Sequence, residues 1–352
     1  MAAEAREDAV PRSALSVTEA SQVGEARRLI STAARRLGFG ETAAGKAAII
    51  ATEMAGNLVK HAGGGEIIVR TLESGGADGL EILALDRGPG MADLAKSRRD
   101  GYSTAGSPGT GLGAIARLSD LFDGWSAPGQ GTALLSQLWA SPLPGGGESP
   151  AGEWGAVCLP VQGETASGDG VDLQLRPRGW RLLVADGLGH GPFAREASQQ
   201  AIAASQADPD SSPADLLQAC HDALRGTRGA AVAVAEVDLE AKTVRFAGIG
   251  NVAGVIEAAE RSQHLVSLNG IVGQGIAKIR EFSYTWPAGA LLIMASDGLS
   301  TRWRLEAYPG LAARHPSLIA GVLYRDFGRS RDDATVAVVR ELYRSAERTV
   351  IP

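Results

Sequence analysis

The stretch Ser141-Pro142-Leu143-Pro144-Gly145-Gly146-Gly147-Glu148-Ser149-Pro150-Ala151-Gly152 constrains the fold more than any other part of the chain. Its prolines cannot donate backbone hydrogen bonds, and its glycines lose the most backbone entropy on ordering. It has almost no apolar side chain to bury. Such a composition reads as a linker and not as part of a core. It divides the 352 residues into two halves, each long enough for a core of its own. The expected organisation is a domain over 13–140, a linker over 141–152 and a second domain over 153–341.

Composition narrows the function classes. Hydrophobic residues at 44% and charged residues at 21% are the mix of a soluble globular protein. A net charge of -6 argues against a nucleic-acid partner, because phosphate backbones need a basic surface. No run approaches membrane-spanning length. Met1 to Arg12 is short, polar and carries acids, so it does not read as a signal peptide, and a cytoplasmic protein is expected. Cys158 and Cys220 have no metal-ligand spacing and form no disulfide framework; they read as buried thiols in a reducing compartment.

In the first half, Val23, Ala26, Ile30, Ala33 and Leu37 trace a helix that stops at Gly38-Phe39-Gly40. A second helix is expected from about Thr42 to Ala62, ended by Gly63-Gly64-Gly65. Ala47, Ile50, Ala51, Met54 and Leu58 mark its apolar face. Glu53, Asn57 and His61 recur every fourth residue on another face. Taken alone, such a polar stripe is most often the solvated side of a helix. Two strands follow, Glu66–Leu72 and Leu80–Leu85, and the second delivers Asp86-Arg87-Gly88-Pro89-Gly90. After a polar loop, Gly109-Thr110-Gly111-Leu112-Gly113 opens another helix, and a strand starts at Gly131-Thr132. Glycines at a helix N-terminus let backbone N–H groups approach phosphates, and a lone carboxylate after a strand accepts a hydrogen bond from an exocyclic amine.

In this order, these signals resemble the GHKL ATPase superfamily, specifically the anti-sigma-factor and stressosome-type serine kinases, over roughly residues 13–138. The resemblance implies an α/β sandwich that binds ATP and Mg2+. It implies that Glu53 is the general base for the substrate hydroxyl, Asn57 holds magnesium and Asp86 reads the adenine, with Gly88 and Gly90 shaping that pocket and Thr132 beside it. Thr104, Gly109, Gly111 and Gly113 would form the lid and phosphate cradle, and Lys60 and His61 would face the phosphates.

The second half holds apolar strands that end in Asp-Gly: Trp180–Ala185 before Asp186-Gly187-Leu188-Gly189-His190-Gly191, and Leu291–Ala295 before Ser296-Asp297-Gly298. Asp169 lies in Ser167-Gly168-Asp169-Gly170, and Asp332-Asp333 precede the last strand, Ala334–Arg340. A single Asp-Gly is a commonplace turn. Four acids at strand ends, or in the loops beside them, suit hard divalent cations, which prefer oxygen ligands.

This set looks like the phosphatase 2C superfamily, in the branch of bacterial sporulation and stress-response phosphatases, over roughly residues 153–341. The resemblance implies an α-β-β-α sandwich in which Asp169, Asp186, the Gly187 carbonyl, Asp297 and Asp332 bind two Mn2+ or Mg2+ ions, Asp186 and Asp297 being central to catalysis. Asp333 is not expected as a direct ligand, and Asp172 reads as a structural neighbour. His190 has two readings, acting on the leaving group or shaping the turn. Many relatives carry a second glycine before the first Asp and an aromatic after it; the departure here is similar to the smaller feedback phosphatases of the stressosome and leaves substrate preference open.

Together the two resemblances imply a bifunctional regulator of a bacterial partner-switching pathway, phosphorylating and dephosphorylating Ser/Thr on an anti-sigma antagonist or stressosome scaffold protein. A sigma factor or downstream switch protein is the further partner they offer. Kinases of this type often pair, so a homodimer belongs to the expectation, although no pairing surface is legible. The alternative is a nucleotide-gated binding module fused to a phosphatase that is the only active enzyme.

Overall fold

Period-two alternation in the first half builds one five-stranded sheet. Its strands are β1 (Ser13–Val17), β2 (Gly65–Ser74), β3 (Ala77–Leu85), β4 (Leu121–Ser126) and β5 (Thr132–Trp139). Their order is β1-β2-β3-β5-β4, with every neighbouring pair antiparallel. The structure is a computed structural model and describes residues 13–97, 111–143, 152–259, 261–276 and 278–341. The chain forms two compact units, Met1–Gly147 with Arg302–Gly328, and Glu148–Thr301 with Arg329–Pro352.

One face of the first sheet presents Ile67, Val69, Leu80, Ile82, Ala84 and Leu134 to the helices α1 (Ala20–Arg36) and α2 (Glu41–Asn57). Helix α1 starts where Gln22 Oε1 accepts the Glu19 amide at 3.0 Å. Helix α2 buries Ala47, Ile50, Ala51 and Met54, the face its spacing predicts. The expected single helix to Ala62 is not what forms. The α-helix ends at Asn57, and Leu58–Ala62 make a π-helical turn closed by Gly63 at φ +73°. A π turn inserts a residue into the helical repeat, so Lys60 and His61 no longer continue the line of Glu53 and Asn57.

The other face of the sheet carries Leu83, Leu85 and, two residues before Leu83 on the same strand, the 1% exposed Glu81. It is covered by the segment 302–328 and its helix Pro316–Phe327, here the insert helix. Gly321 sits so close that a Cβ there would meet Leu85 Cδ2 at 3.0 Å. Ser317 Oγ donates to Glu81 Oε2 at 2.7 Å, beside Gln137 Nε2 at 2.7 Å and the Arg70 guanidinium at 3.0 Å. Trp125 Nε1 donates to the Pro309 carbonyl at 3.0 Å, and the His315 amide donates to Asp123 at 2.8 Å. The sequence division had placed 302–328 in the second domain. No composition shift marks its ends, and only long-range packing assigns it to the first unit.

Burial alone raises the Glu81 pKa; Arg70, His315 and the Ser317 and Gln137 hydrogen bonds outweigh it and hold the carboxyl below its ordinary value. Glu81→Ala removes the acceptor that Ser317, Gln137 and Arg70 share at a 1% exposed position, so we expect it to cost about 3–5 kcal/mol. Equilibrium denaturant unfolding measures this; a loss below about 1 kcal/mol contradicts a buried ion-pair network.

The second unit stacks two five-stranded antiparallel sheets. The first has the order β13-β10-β9-β8-β7 and the second β12-β11-β14-β15-β6. The strands are β6 (Gly152–Leu159), β7 (Asp169–Arg176), β8 (Gly179–Gly187), β9 (Ala230–Asp238), β10 (Thr243–Ile249), β11 (Ala253–Ala258), β12 (Arg261–Leu265), β13 (Phe282–Thr285), β14 (Leu291–Ala295) and β15 (Ala334–Glu341). Trp180, Leu182, Val184 and Phe246 of one sheet interdigitate with Ile256, Leu292, Met294 and Val339 of the other. The outer face of the first sheet, with Leu183, Val232 and Val234, lies under α4 (Pro192–Ala207) and α5 (Pro213–Ala223), which follow α3 (Gly111–Leu118) of the first unit. Both units are mixed α/β sandwiches, as the sequence predicts. Strands β4, β7, β11, β12 and β13 had no clear apolar pattern and were not anticipated. Cys158 and Cys220 are buried thiols in no disulfide, and burial pushes the Cys220 pKa up to about 12.

Candidate active sites

In the first unit, Glu53 and Asn57 stand one helical turn apart on α2, both half-buried. The N-terminus of α3 meets them. A Cβ on Gly111 would lie 2.8 Å from Glu53 Oε2 and 3.9 Å from Asn57 Oδ1, so the start of α3 comes close to both side chains. The positive end of the α3 dipole therefore points at a carboxylate and an amide oxygen. Gly113, one residue beyond Leu112, is buried on the same helix. Thr104 and Gly109 lie outside the described residues.

Asp86 follows β3. Its Oδ1 accepts the Gly88 amide at 2.8 Å and the Thr132 amide at 3.0 Å, while Oδ2 has no hydrogen-bond partner among the described residues. Two amides thus fix the carboxylate and leave one oxygen to accept from an incoming donor. Burial pushes the Asp86 pKa up; the two amides, Arg325 and His61 pull it down without cancelling that. Gly90, at φ +66°, would place a Cβ 1.9 Å from the Ala127 carbonyl, so the turn excludes any side chain there. Thr132 is buried, with its Oγ1 2.9 Å from Ser126 Oγ. Lys60 and His61 are exposed on the π turn, and His61 is near enough to Asp86 to influence its charge.

In the second unit the register of the β7–β8 pair sets Asp169 directly opposite Asp186. Asp297 follows β14 and Asp332 precedes β15, the two strands being neighbours. Asp169 is 3% exposed and its Oδ2 accepts from Ser296 Oγ at 2.7 Å. Burial, with Asp333 and Asp332 nearby, pushes it up to about 7. Asp186 rises to about 8 through burial and then through Asp169, Asp297 and Asp332. Asp297 is raised by burial and Asp332, and it accepts a hydrogen bond from Asn251. Gly187 ends β8 where a Cβ would stand 2.1 Å from the Ala194 carbonyl.

Asp333 is 2% exposed and accepts the Val161 and Gly168 amides at 2.7 and 2.6 Å, so it ties loops together. Asp172 is occupied by Gln174, Ser205 and Gln206. His190 is exposed, its Nδ1 2.8 Å from Glu164 Oε1. Four mutually repelling carboxylates are the donor chemistry of a hard divalent cation. Among the described residues, however, no three acidic, histidine or cysteine side chains converge tightly enough on one point to hold an ion as they stand.

The raised carboxyls carry a pH signature. Asp169 and Asp186 bind protons more tightly folded than unfolded, so the chelated protein loses stability as pH rises from the ordinary carboxyl value of 3.8 to about 8. Thermal melts in a chelator should fall across that window, and Mn2+ should raise the melting temperature most at its alkaline end. Flat melts with no metal response contradict a shared carboxylate cluster.

Residues 16–135 match the family described as histidine kinase-like ATPase domain. Over 114 residues the chain is 38% identical to the serine/threonine-protein kinase RsbT of Bacillus subtilis (strain 168), covering 32% of this chain and 86% of that protein. The chain belongs to the histidine kinase-like ATPase family. Residues 176–341 match the family described as stage II sporulation protein E. The phosphoserine phosphatase RsbX of Bacillus subtilis (strain 168) is 22% identical over 143 residues, 40% of this chain and 72% of that protein. A solved structure described as "The bacterial stressosome: a modular system that has been adapted to control secondary messenger signaling" is 28% identical, with a TM-score of 0.51, over 54% of this chain and 99% of its own.

Sequence reasoning missed three residues at these sites. Asn251 sits in a run, Gly248-Ile249-Gly250-Asn251, that reads only as a turn, and Glu164 lies in a loop with no pattern. Arg325 donates to the Asp86 carbonyl at 2.6 Å from 239 residues away, and nothing local announces it.

Proposed function

We propose that this chain is a bifunctional regulator of a partner-switching pathway, transferring phosphate from ATP to a Ser or Thr of a partner protein and removing such phosphate by metal-dependent hydrolysis. The observation that carries the transferase half is the placement of Glu53 and Asn57 against Gly111, which brings a base and a metal-binding oxygen to a helix N-terminus suited to phosphate. Glu53 takes the proton of the substrate hydroxyl. Asn57 offers its oxygen to Mg2+, which on binding neutralises charge on the transferred group. The Asp86 Oδ2 accepts from the adenine amine beside Thr132, with Gly88 and Gly90 leaving room for the base. Backbone amides of Gly111 and Gly113, together with the Gly109 and Thr104 segment, receive the phosphates, and Lys60 and His61 add positive charge.

In the second unit, Asp169, Asp186, the Gly187 carbonyl, Asp297 and Asp332 are the groups that would hold two Mn2+ or Mg2+ ions, and ions bound there would supply the nucleophilic water for hydrolysis. Ser296 orients Asp169 and Asn251 orients Asp297. The partner class this reading supports is an anti-sigma antagonist or stressosome scaffold protein. Linking both activities in one chain raises the effective concentration of each near that partner, and nucleotide or partner state selects between them.

The test uses lysate of the source cell, labelled ATP and the Asp186→Asn protein, in which product accumulates. A labelled band that vanishes with Glu53→Ala and is erased by wild-type protein in Mn2+ supports both halves. ATP binding without any band overturns the transferase half and leaves a nucleotide-gated binding module fused to a phosphatase.

A further inference from the structure

The insert helix reaches the Asp86 loop through one side chain. Arg325 is 5% exposed, and its guanidinium is fully engaged. Nη1 donates to the Asp86 carbonyl at 2.6 Å, while Nε and Nη2 grip both oxygens of Asp326 at 2.8 and 2.7 Å. The plane lies over the Trp125 ring, 5.8 Å from its centroid. Tyr308 Oη donates to Asp326 at 3.0 Å, so the clamp on Arg325 is itself held.

The backbone explains why an arginine is needed there. The β3–β5 ladder ends at Leu85 and Ala133, and the Asp86 amide still donates to the Thr132 carbonyl at 2.9 Å. In an antiparallel pair the Thr132 amide would return that bond to the Asp86 carbonyl, but it donates to Asp86 Oδ1 at 3.0 Å instead. The Asp86 carbonyl therefore lacks its strand partner, and Arg325 supplies a charge-assisted hydrogen bond to it. Gly131 makes room for it: a Cβ there would stand 2.1 Å from the Asp86 carbonyl oxygen and 2.9 Å from Arg325 Nη1. Arg325 holds the backbone of Asp86 while the Gly88 and Thr132 amides hold its carboxylate, so the guanidinium sets the point from which that carboxylate is placed. The positive charge also opposes the burial that raises the Asp86 pKa.

We infer that Arg325 is a positioning residue of the nucleotide pocket, setting the place of the Asp86 carboxylate and with it the preference for adenine over guanine. This rests on the reading of the first unit as a nucleotide site. Adenine presents an amine where guanine presents a carbonyl oxygen, which a fixed carboxylate repels. A lysine keeps the charge but cannot hold the Asp86 carbonyl and both Asp326 oxygens in one plane.

The experiment measures displacement of a fluorescent ATP analogue from the full chain by ATP and by GTP. Wild type should prefer ATP by roughly tenfold or more, and Arg325→Lys should lose most of that ratio, chiefly through weaker ATP binding. Asp326→Asn, which loosens the clamp without touching Asp86, should shift the ratio the same way and serves if the arginine variant does not fold. Arg314→Ala, which removes a half-exposed contact of the same segment to Asp123, should leave the ratio unchanged. A wild-type ratio retained in both Arg325→Lys and Asp326→Asn overturns the inference. Equal losses for ATP and GTP with a lowered melting temperature also overturn it, since a purely structural role weakens both. Wild type that binds neither nucleotide overturns the nucleotide reading itself, and the inference falls with it.

Discussion

Asp186→Asn is expected to lower phosphomonoester hydrolysis in Mn2+ by at least on the order of a hundredfold, the upper range of loss caused by changing even an outer-shell partner of a metal ligand. Asp186 faces Asp169 across the β7–β8 ladder and feels Asp297 and Asp332 as well, so it is the acid most strongly coupled to the other three. The same geometry predicts a second, opposite effect. Removing one charge from a repelling set relieves the folded state, so the chelated variant should melt above chelated wild type near pH 8. Turnover of p-nitrophenyl phosphate and thermal melts in chelator read the two effects separately. Lost activity together with lost stability means fold damage, and retained activity removes Asp186 from the site.

Glu53→Ala is expected to lower phosphate transfer to the partner protein by roughly 10²- to 10⁴-fold, the range for removing a positioned general base. Affinity for ATP should change only a few-fold, because the groups proposed to read the base, Asp86 and Thr132, stand on other elements. Measuring transfer rate and nucleotide affinity on one preparation decides the matter. Unchanged transfer eliminates Glu53 as the base, and abolished ATP binding reassigns it to nucleotide contact.

Much of this arrangement is legible from neighbouring residues. The Pro/Gly run at 141–152, the apolar stripe of α2, and apolar strands that stop at Asp86, Asp186 and Asp297 are local signals, because strand and helix periods and turn residues act over a few positions. The family resemblance, and not those local signals, set Asp333 apart from its neighbour Asp332; in the structure Asp333 accepts the Val161 and Gly168 amides. The local signals failed where the outcome depended on a competing conformation. The helix pattern from Thr42 ran through Ala62, yet the chain turns to π geometry at Leu58, which carries His61 away from the Glu53–Asn57 line. Edge strands such as β12, with exposed Arg261, Ser262 and His264, bury too little on either face to show an alternating pattern.

What no local pattern could assign is the place of residues 302–328. Their apolar helix, Pro316–Phe327, is buried on nearly every side, so its composition calls for enclosure without naming the surface that encloses it. Packing chose the sheet face of Leu83 and Leu85, where Gly321 lets the helix settle and Glu81 waits for Ser317. That choice brings Arg325 to Asp86 across 239 residues of sequence. The chain's own order wrote the two sets of site residues, because each sits at the end of an element whose period is short. The tertiary structure alone decided which distant side chain holds them in place, because burial is won by total fitted surface and not by nearness along the chain.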